Sequence, residues 1–345
     1  MKPTHKFIIQ IGIGLALVTA TQAQQRPYYT QYILNNYIIN PAVAGIENYT
    51  DVKVSHRHQW VGLDGAPVTT YLTIQGPFHK SDYDRETATS FHAPGQNPRG
   101  EAYWQSYLAA PSHAGWGFTL LNDVTGPLNR FAAYGSYAYH LVLSPKTTLA
   151  MGTSVGFTQM TLNTGKLNFG VTNPVDPAVS GSGDLNRLKP DISAGLWLYS
   201  KDFFAGVALQ QIIPSQIAFS DNSVQLQSGK LVPHTFITVG YRTYLSDDIS
   251  FLPSVMLRYI TPLPLGVDLN AKFQYQDLAW VGLTYRYQDS FAGMVGININ
   301  STVNIGYSYD ATTSGLSKVS SGTHEIMVGF LLGNRYGDWC PRNLW

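Results

Sequence analysis

The sequence predicts an all-β fold: a transmembrane antiparallel β-barrel of the outer-membrane type with about 14 strands. Three observations predict it. Charged residues make up 12% of the chain, with 13% aromatic residues, 22 Tyr and 32 Gly, whereas a soluble domain carries about 25% charged residues to coat its surface. Mean hydropathy is nonetheless only −0.08, and beyond the N-terminal leader no uninterrupted apolar run approaches the roughly 20 residues of a membrane helix. Helical membrane proteins are therefore excluded. Apolar residues recur instead on every second position, which reconciles low charge with modest hydropathy if that stripe faces lipid.

The N-terminus reads as an export signal over residues 1–23. Lys2, His5 and Lys6 form a basic start, Phe7 to Val18 an apolar stretch, and Thr21-Gln22-Ala23 a small-x-small cleavage site. Twelve apolar residues are too few to cross a bilayer that needs about 20 in a helix, and no cysteine follows to carry a lipid. Cleavage near Ala23 leaves Gln24 as the mature N-terminus, and the outer membrane as the location. Residues 24–49 are a neutral, aromatic and asparagine-rich segment that cannot face lipid without regular hydrogen bonding. It is read as a lumen plug or a periplasmic element, because disordered tails lack residues such as Ile33, Leu34, Ile38 and Ile39.

The barrel is expected over residues 50–332. In "GVDLNAKFQYQD" Val267, Leu269, Ala271, Phe273 and Tyr275 alternate with Asp268, Asn270, Lys272 and Gln274, a two-faced strand. Ala279 to Tyr287, Phe291 to Ile297 and Val303 to Tyr309 repeat the pattern. Further strands are expected near 50–60, 69–78, 115–123, 129–143, 147–161, 191–200, 203–212, 232–246, 249–260 and 322–332. An even count puts both termini in the periplasm, including a tail at 333–345. The short links at Ser144-Pro145-Lys146, Ser200-Lys201-Asp202, Ser246-Asp247-Asp248 and Gln276-Asp277 then fall on the periplasmic side, and the long links 162–190, 213–231 and 310–321 outside. The long link 79–114 breaks that rule. Tyr275, Tyr285, Tyr287, Tyr307 and Tyr309 suit an aromatic girdle, ring in lipid and hydroxyl in water. The competing fold is a soluble β-sandwich. The polar face, poor in charge and rich in Gly, Ser, Thr, Asn and Gln, suits a barrel lumen better than a solvated surface.

Chemistry is scarce. A net charge of +1 with both signs scattered gives no basic field for nucleic acid. The single cysteine, Cys340, excludes an intrachain disulfide or a cysteine metal cluster. His56 and His58 share one strand face with Arg57 between them, but no third ligand is spaced to complete a metal site. His324 and Glu325 point to opposite faces and cannot act as a local pair. No catalytic group, cofactor or metal is assigned, so the chain is read as a non-enzyme.

Four motifs remain: "QYILNNYIINPAVAG" at 31–45, "HRHQWVGLDGAP" at 56–67, "NDVTGP" at 122–127 and "YDATTSGLSKVSSGTHEIMVGF" at 309–330. In this order they resemble the PorP/SprF family of type IX secretion system membrane proteins of the Bacteroidetes, from about Gln31 to Leu332. Departures are Leu63 where an aromatic is common, the 79–114 insertion, and the tail Gly333 to Trp345. The resemblance implies an outer-membrane barrel that docks and presents secreted adhesin-like cargo carrying a type B C-terminal sorting domain. It also links some members to a periplasmic peptidoglycan-binding lipoprotein. The competing function is a passive porin or hydrophobic-solute channel. The partner-binding or structural residues are then Tyr32, Asn36, Asn40, Pro41 and Gly45 in the first motif. The second contributes Trp60, Gly62, Asp64, Gly65 and Pro67, in a turn stiffened by glycine and proline. The third contributes Asn122, Asp123, Gly126 and Pro127, read as a turn whose Asx side chains bond their own backbone.

Overall fold

The structure, a computed structural model, describes residues 28–78, 109–166, 185–217 and 229–334 except 262, 277 and 301. The leader with its cleavage site, most of the link 79–114, the tail from 335 and Cys340 lie outside the described residues.

Fourteen strands form one closed antiparallel sheet: β1 (Thr50–His58), β2 (Val68–Phe78), β3 (His113–Thr125), β4 (Leu128–Ser144), β5 (Thr147–Leu162), β6 (Leu185–Ser200), β7 (Phe203–Gln210), β8 (His234–Tyr241, resumed as Thr243–Ser246), β9 (Ile249–Ile260), β10 (Gly266–Tyr275), β11 (Ala279–Arg286), β12 (Ser290–Asn298), β13 (Val303–Thr312) and β14 (Thr323–Leu332). Each strand pairs with its sequence neighbour. The ring closes where β1 meets β14, from Thr50 opposite Leu332 to His58 opposite His324. Strand β8 is interrupted at Arg242, whose N–H leaves the ladder and donates to the Asp202 carbonyl at 2.6 Å. A short ribbon, Ser215–Ile217 with Gly229–Leu231, stands in the link between β7 and β8.

The alternation sorts residues as a lipid-facing barrel requires. On β10, Leu269 and Tyr275 are exposed while Asp268, Asn270 and Lys272 are buried inside. The same holds around the ring, where Tyr137, Tyr241, Tyr259, Tyr287 and Phe291 stand on the outer wall. The inner face carries more charge than the strand-by-strand reading gave it. Asp51, Lys53, Arg57, Arg258, Asp268, Lys272, Arg286, Asp310 and Glu325 are all buried, and most of them meet an opposite charge. The end with short turns is the periplasmic one.

The core is not an interior shared by two sheets. It is the interface between the barrel wall and residues 30–46, which run through the lumen as three short 3-10 turns, Gln31–Leu34, Asn36–Ile38 and Pro41–Val43. Tyr37, Ala42, Val43, Ala44 and Ile46 pack against Ala138, Ala150, Trp197, Tyr199, Phe204 and Leu252 of the wall. Tyr32, Ile33 and Ile39 pack against Met256, Trp280 and Met294.

Candidate functional site

The lumen segment climbs from the periplasmic end to the outer end. At its base Gly45 donates its N–H to Gln75 Oε1 at 2.7 Å, and its carbonyl accepts from His113 Nε2 at 3.0 Å. The Ala44 carbonyl accepts from His140 Nε2 at 2.8 Å, and the two imidazoles stack at 4.5 Å. Small residues are obligatory here. Gly45 has φ +80°, a Cβ on it would lie 2.5 Å from Gly115 Cα, and a Cβ on Gly152 would lie 2.5 Å from Ala42 Cα. Asn40 caps the last turn by accepting from Ala42 N at 3.0 Å, Pro41 starts it, and Asn40 Nδ2 donates to the Leu196 carbonyl at 2.9 Å. The Asn-Pro-Ala-x-Ala-Gly pattern is thus a capped turn laid against a wall cleared by glycine.

Higher up, Tyr37 Oη donates to Ser136 Oγ at 2.9 Å, and Asn35 Nδ2 donates to Thr73 Oγ1 at 2.9 Å. The Asn36 carbonyl accepts from the Asn40 N–H at 2.9 Å. Tyr32 Oη accepts from Asn270 Nδ2 at 2.6 Å.

At the top the segment spans the seam between β1 and β14. Thr30 N donates to Glu325 Oε2 at 2.8 Å and Thr30 Oγ1 to Asp310 Oδ2 at 2.7 Å. Gln31 Nε2 donates to the Glu325 carbonyl at 2.8 Å. Arg57 joins these groups, donating from Nη1 to Thr30 Oγ1 at 2.8 Å and Glu325 Oε2 at 3.0 Å, and from Nη2 to Asp310 Oδ2 at 2.7 Å. Ser55 Oγ donates to Glu325 Oε1 at 3.1 Å. A second group adjoins: Arg258 meets Asp268 at 2.9 Å, and Arg286 meets Asp268 and Asp310, each at 3.5 Å. The Tyr28 ring lies 4.1 Å from Arg258 Cζ and 5.6 Å from Arg286 Cζ.

The motif residues gather in two places. Tyr32, Asn36, Asn40, Pro41 and Gly45 line up in the lumen. Trp60, Gly62, Asp64, Gly65, Pro67, Gly126 and Pro127 meet at the outer rim. There Val61 N donates to the Gly322 carbonyl at 2.8 Å, Ser321 N to the Val61 carbonyl at 2.7 Å, and Gly126 N to the Gly65 carbonyl at 2.9 Å. Three connections are thereby stitched into one surface. Gly62, Gly65 and Gly126 adopt φ of 101°, 69° and 56°, and Trp60, half-buried, adopts 51°. Asp64 is exposed, and the Pro67 carbonyl accepts from Gln59 N at 2.9 Å.

The reading of Asn122 and Asp123 as turn residues is corrected. Both lie within β3, and Asp123 Oδ1 accepts from Thr69 Oγ1 of β2 at 2.6 Å rather than from its own backbone. The turn itself is only Gly126-Pro127.

Sequence reasoning missed the seam group of Arg57, Asp310 and Glu325, and the paired His113 and His140. The available signal was alternation: His56 and His58 face outward, so Arg57 must face inward, where a charge needs a partner. Among the described residues no group of three or more His, Cys, Asp or Glu side chains is placed to hold a metal.

Among solved structures the chain is similar to the CymD monoaromatic hydrocarbon channel, with 9% identity over 87% of this chain and 93% of that one, TM-score 0.48. It is also similar to the Ralstonia pickettii toluene transporter TbuX, with 14% identity over 86% and 92% of the two chains, TM-score 0.45. A third is the Acinetobacter baumannii outer membrane protein Omp33, with 8% identity over 84% and 100%, TM-score 0.43. No curated protein matches the chain. The family described as "Type IX secretion system membrane protein PorP/SprF" matches residues 21–330. With the closed barrel and the converging motifs in place, that match over nearly the whole length means that the chain belongs to the PorP/SprF family of type IX secretion system membrane proteins.

Proposed function

We propose that this barrel works as a closed dock in the outer membrane, helping to present secreted adhesin-like cargo with a type B C-terminal sorting domain at the cell surface. The observation that carries the reading is the filled lumen. Residues 30–46 are held from the periplasmic histidines to the outer charge group, and a 14-stranded barrel without such contents would be wide enough to leak. Inner charges of both signs neutralise one another, whereas porins use charge rings of one sign for selectivity. The rim surface of Gly62 to Gly65, Gly126 and Gly322 is rigid and low in charge, which suits protein contact. A periplasmic peptidoglycan-binding lipoprotein is a second partner under the same reading.

Two measurements test it. Planar-bilayer recording should show a quiet intact protein and clear conductance once Arg26 to Asn40 are deleted. Equal conductance from the two forms overturns the closed lumen and favours a passive solute channel. Detergent pull-down from the native envelope should co-purify a secreted protein of the sorting-domain class, and its absence overturns the dock.

A further inference from the structure

Beneath the first turn of the lumen segment, between it and the wall, lies a cavity of about 50 Å³. Leu34 of the segment lines it on one side, and Lys53 of β1, Asn304 and Gly306 of β13 and Met327 of β14 line it on the other. A bound water needs about 10–15 Å³ and two to four polar partners. The volume therefore suits about three or four waters, and nothing as large as a peptide or a sugar.

The polar groups around the cavity have bonds to spare. Gln31 is fully buried, and its amide nitrogen donates to the Glu325 carbonyl at 2.8 Å, but its Oε1 accepts from no donor. That oxygen lies over Gly306, where a Cβ would stand 2.5 Å from it, so it faces the cavity that Gly306 lines. Asn304 makes no side-chain hydrogen bond among the described residues. An ammonium carries three N–H donors, and Asp51 takes one of those on Lys53. An unpaired acceptor in a buried position is costly. Gln31 Oε1 can only accept and the Lys53 ammonium can only donate, and no direct bond joins them. Water does both, so it is the ligand that satisfies the two together. An apolar cavity of this size would stay dry, but this one presents an ammonium and two amides.

We infer that this cavity is a water-binding site, in which a cluster of about three or four ordered waters donates to Gln31 Oε1 and accepts from Lys53 and Asn304. The lumen segment is then fastened in two ways. Its base bonds the wall directly, through the Gly45 and Ala44 carbonyls to His113 and His140. The underside of its first turn reaches β1 and β13 through exchangeable water.

The test is radiolytic footprinting of the detergent-solubilised full-length protein, in which hydroxyl radicals made from bound water oxidise side chains that bulk solvent does not reach. Met327 and Met294 are buried alike, 1% and 2% exposed. Met327 lines the cavity, whereas Met294 packs in the apolar cluster with Ile33 and Trp280. Met327 should oxidise at least fivefold faster than Met294. Leu34→Phe, which fills the cavity, should slow Met327 at least threefold and leave Met294 unchanged, with the heat-modifiable gel shift reporting that the barrel still folds. Asn304→Leu, which fills it from the wall side, is the second variant should the first fail to fold. Equal rates for the two methionines in the parent, or a Met327 rate that the folded variant does not lower, overturn the inference.

Discussion

Arg57→Met is the most informative single perturbation of this barrel. The guanidinium is 2% exposed and makes three hydrogen bonds of 2.7 to 3.0 Å, to Thr30, Glu325 and Asp310. Removing one partner of a buried ion pair costs about 3–5 kcal/mol, because the remaining charge stays buried without compensation. Two carboxylates are left here. Asp310 keeps Arg286 at 3.5 Å, but Glu325 keeps only neutral donors, so the expected loss lies in that range and falls on Glu325. A double variant, Arg57→Met with Glu325→Gln, removes both charges while retaining an acceptor for the Thr30 N–H. It should recover at least half of the loss. The assay is urea unfolding in detergent micelles, followed by the fraction of fast-migrating folded species on cold gels. A single variant within about 1 kcal/mol of the parent, or a double variant as unstable as the single, would refute the idea that charge compensation rather than shape secures this seam.

Gly115→Ala should destabilise the barrel by about 1–3 kcal/mol, since its methyl would enter the backbone of Ala44 and Gly45. Gly135→Ala, where a Cβ meets nothing within 4 Å, should be neutral by the same unfolding assay.

Much of the fold was legible because a strand's period of two survives in the sequence wherever one face meets lipid. The turns at Pro145-Lys146, Lys201-Asp202 and Asp247-Asp248 stand between strands at the expected places. So do the opposite faces of His324 and Glu325, one outward and one buried. Alternation says only in or out, not at what height or beside which strand. Arg57 and Glu325 are 268 positions apart, and nothing local to either names the other. Asp123 misled for a related reason. Next to a Gly-Pro turn it looks like turn chemistry, but β3 and β4 extend to within two residues of each other and put it in the sheet beside Thr69. The charge inside the barrel was underestimated because most strands contribute two such residues or fewer, and the accumulation exists only once the ring is closed.

The bond from Thr30 to Glu325 joins positions 295 apart, so it ties almost the first described residue to the last strand of the wall. Contacts of that separation are among the last to form, since nearly the whole chain must be ordered before its ends meet. The same bond lies beside the line along which the cylinder is sewn shut, so the leading segment and the seam are secured by one group of side chains. Assembly then carries its own inspection: a chain whose leading segment has strayed leaves Glu325 with Arg57 and Ser55 but without the Thr30 N–H, and its first and last strands meet less completely satisfied.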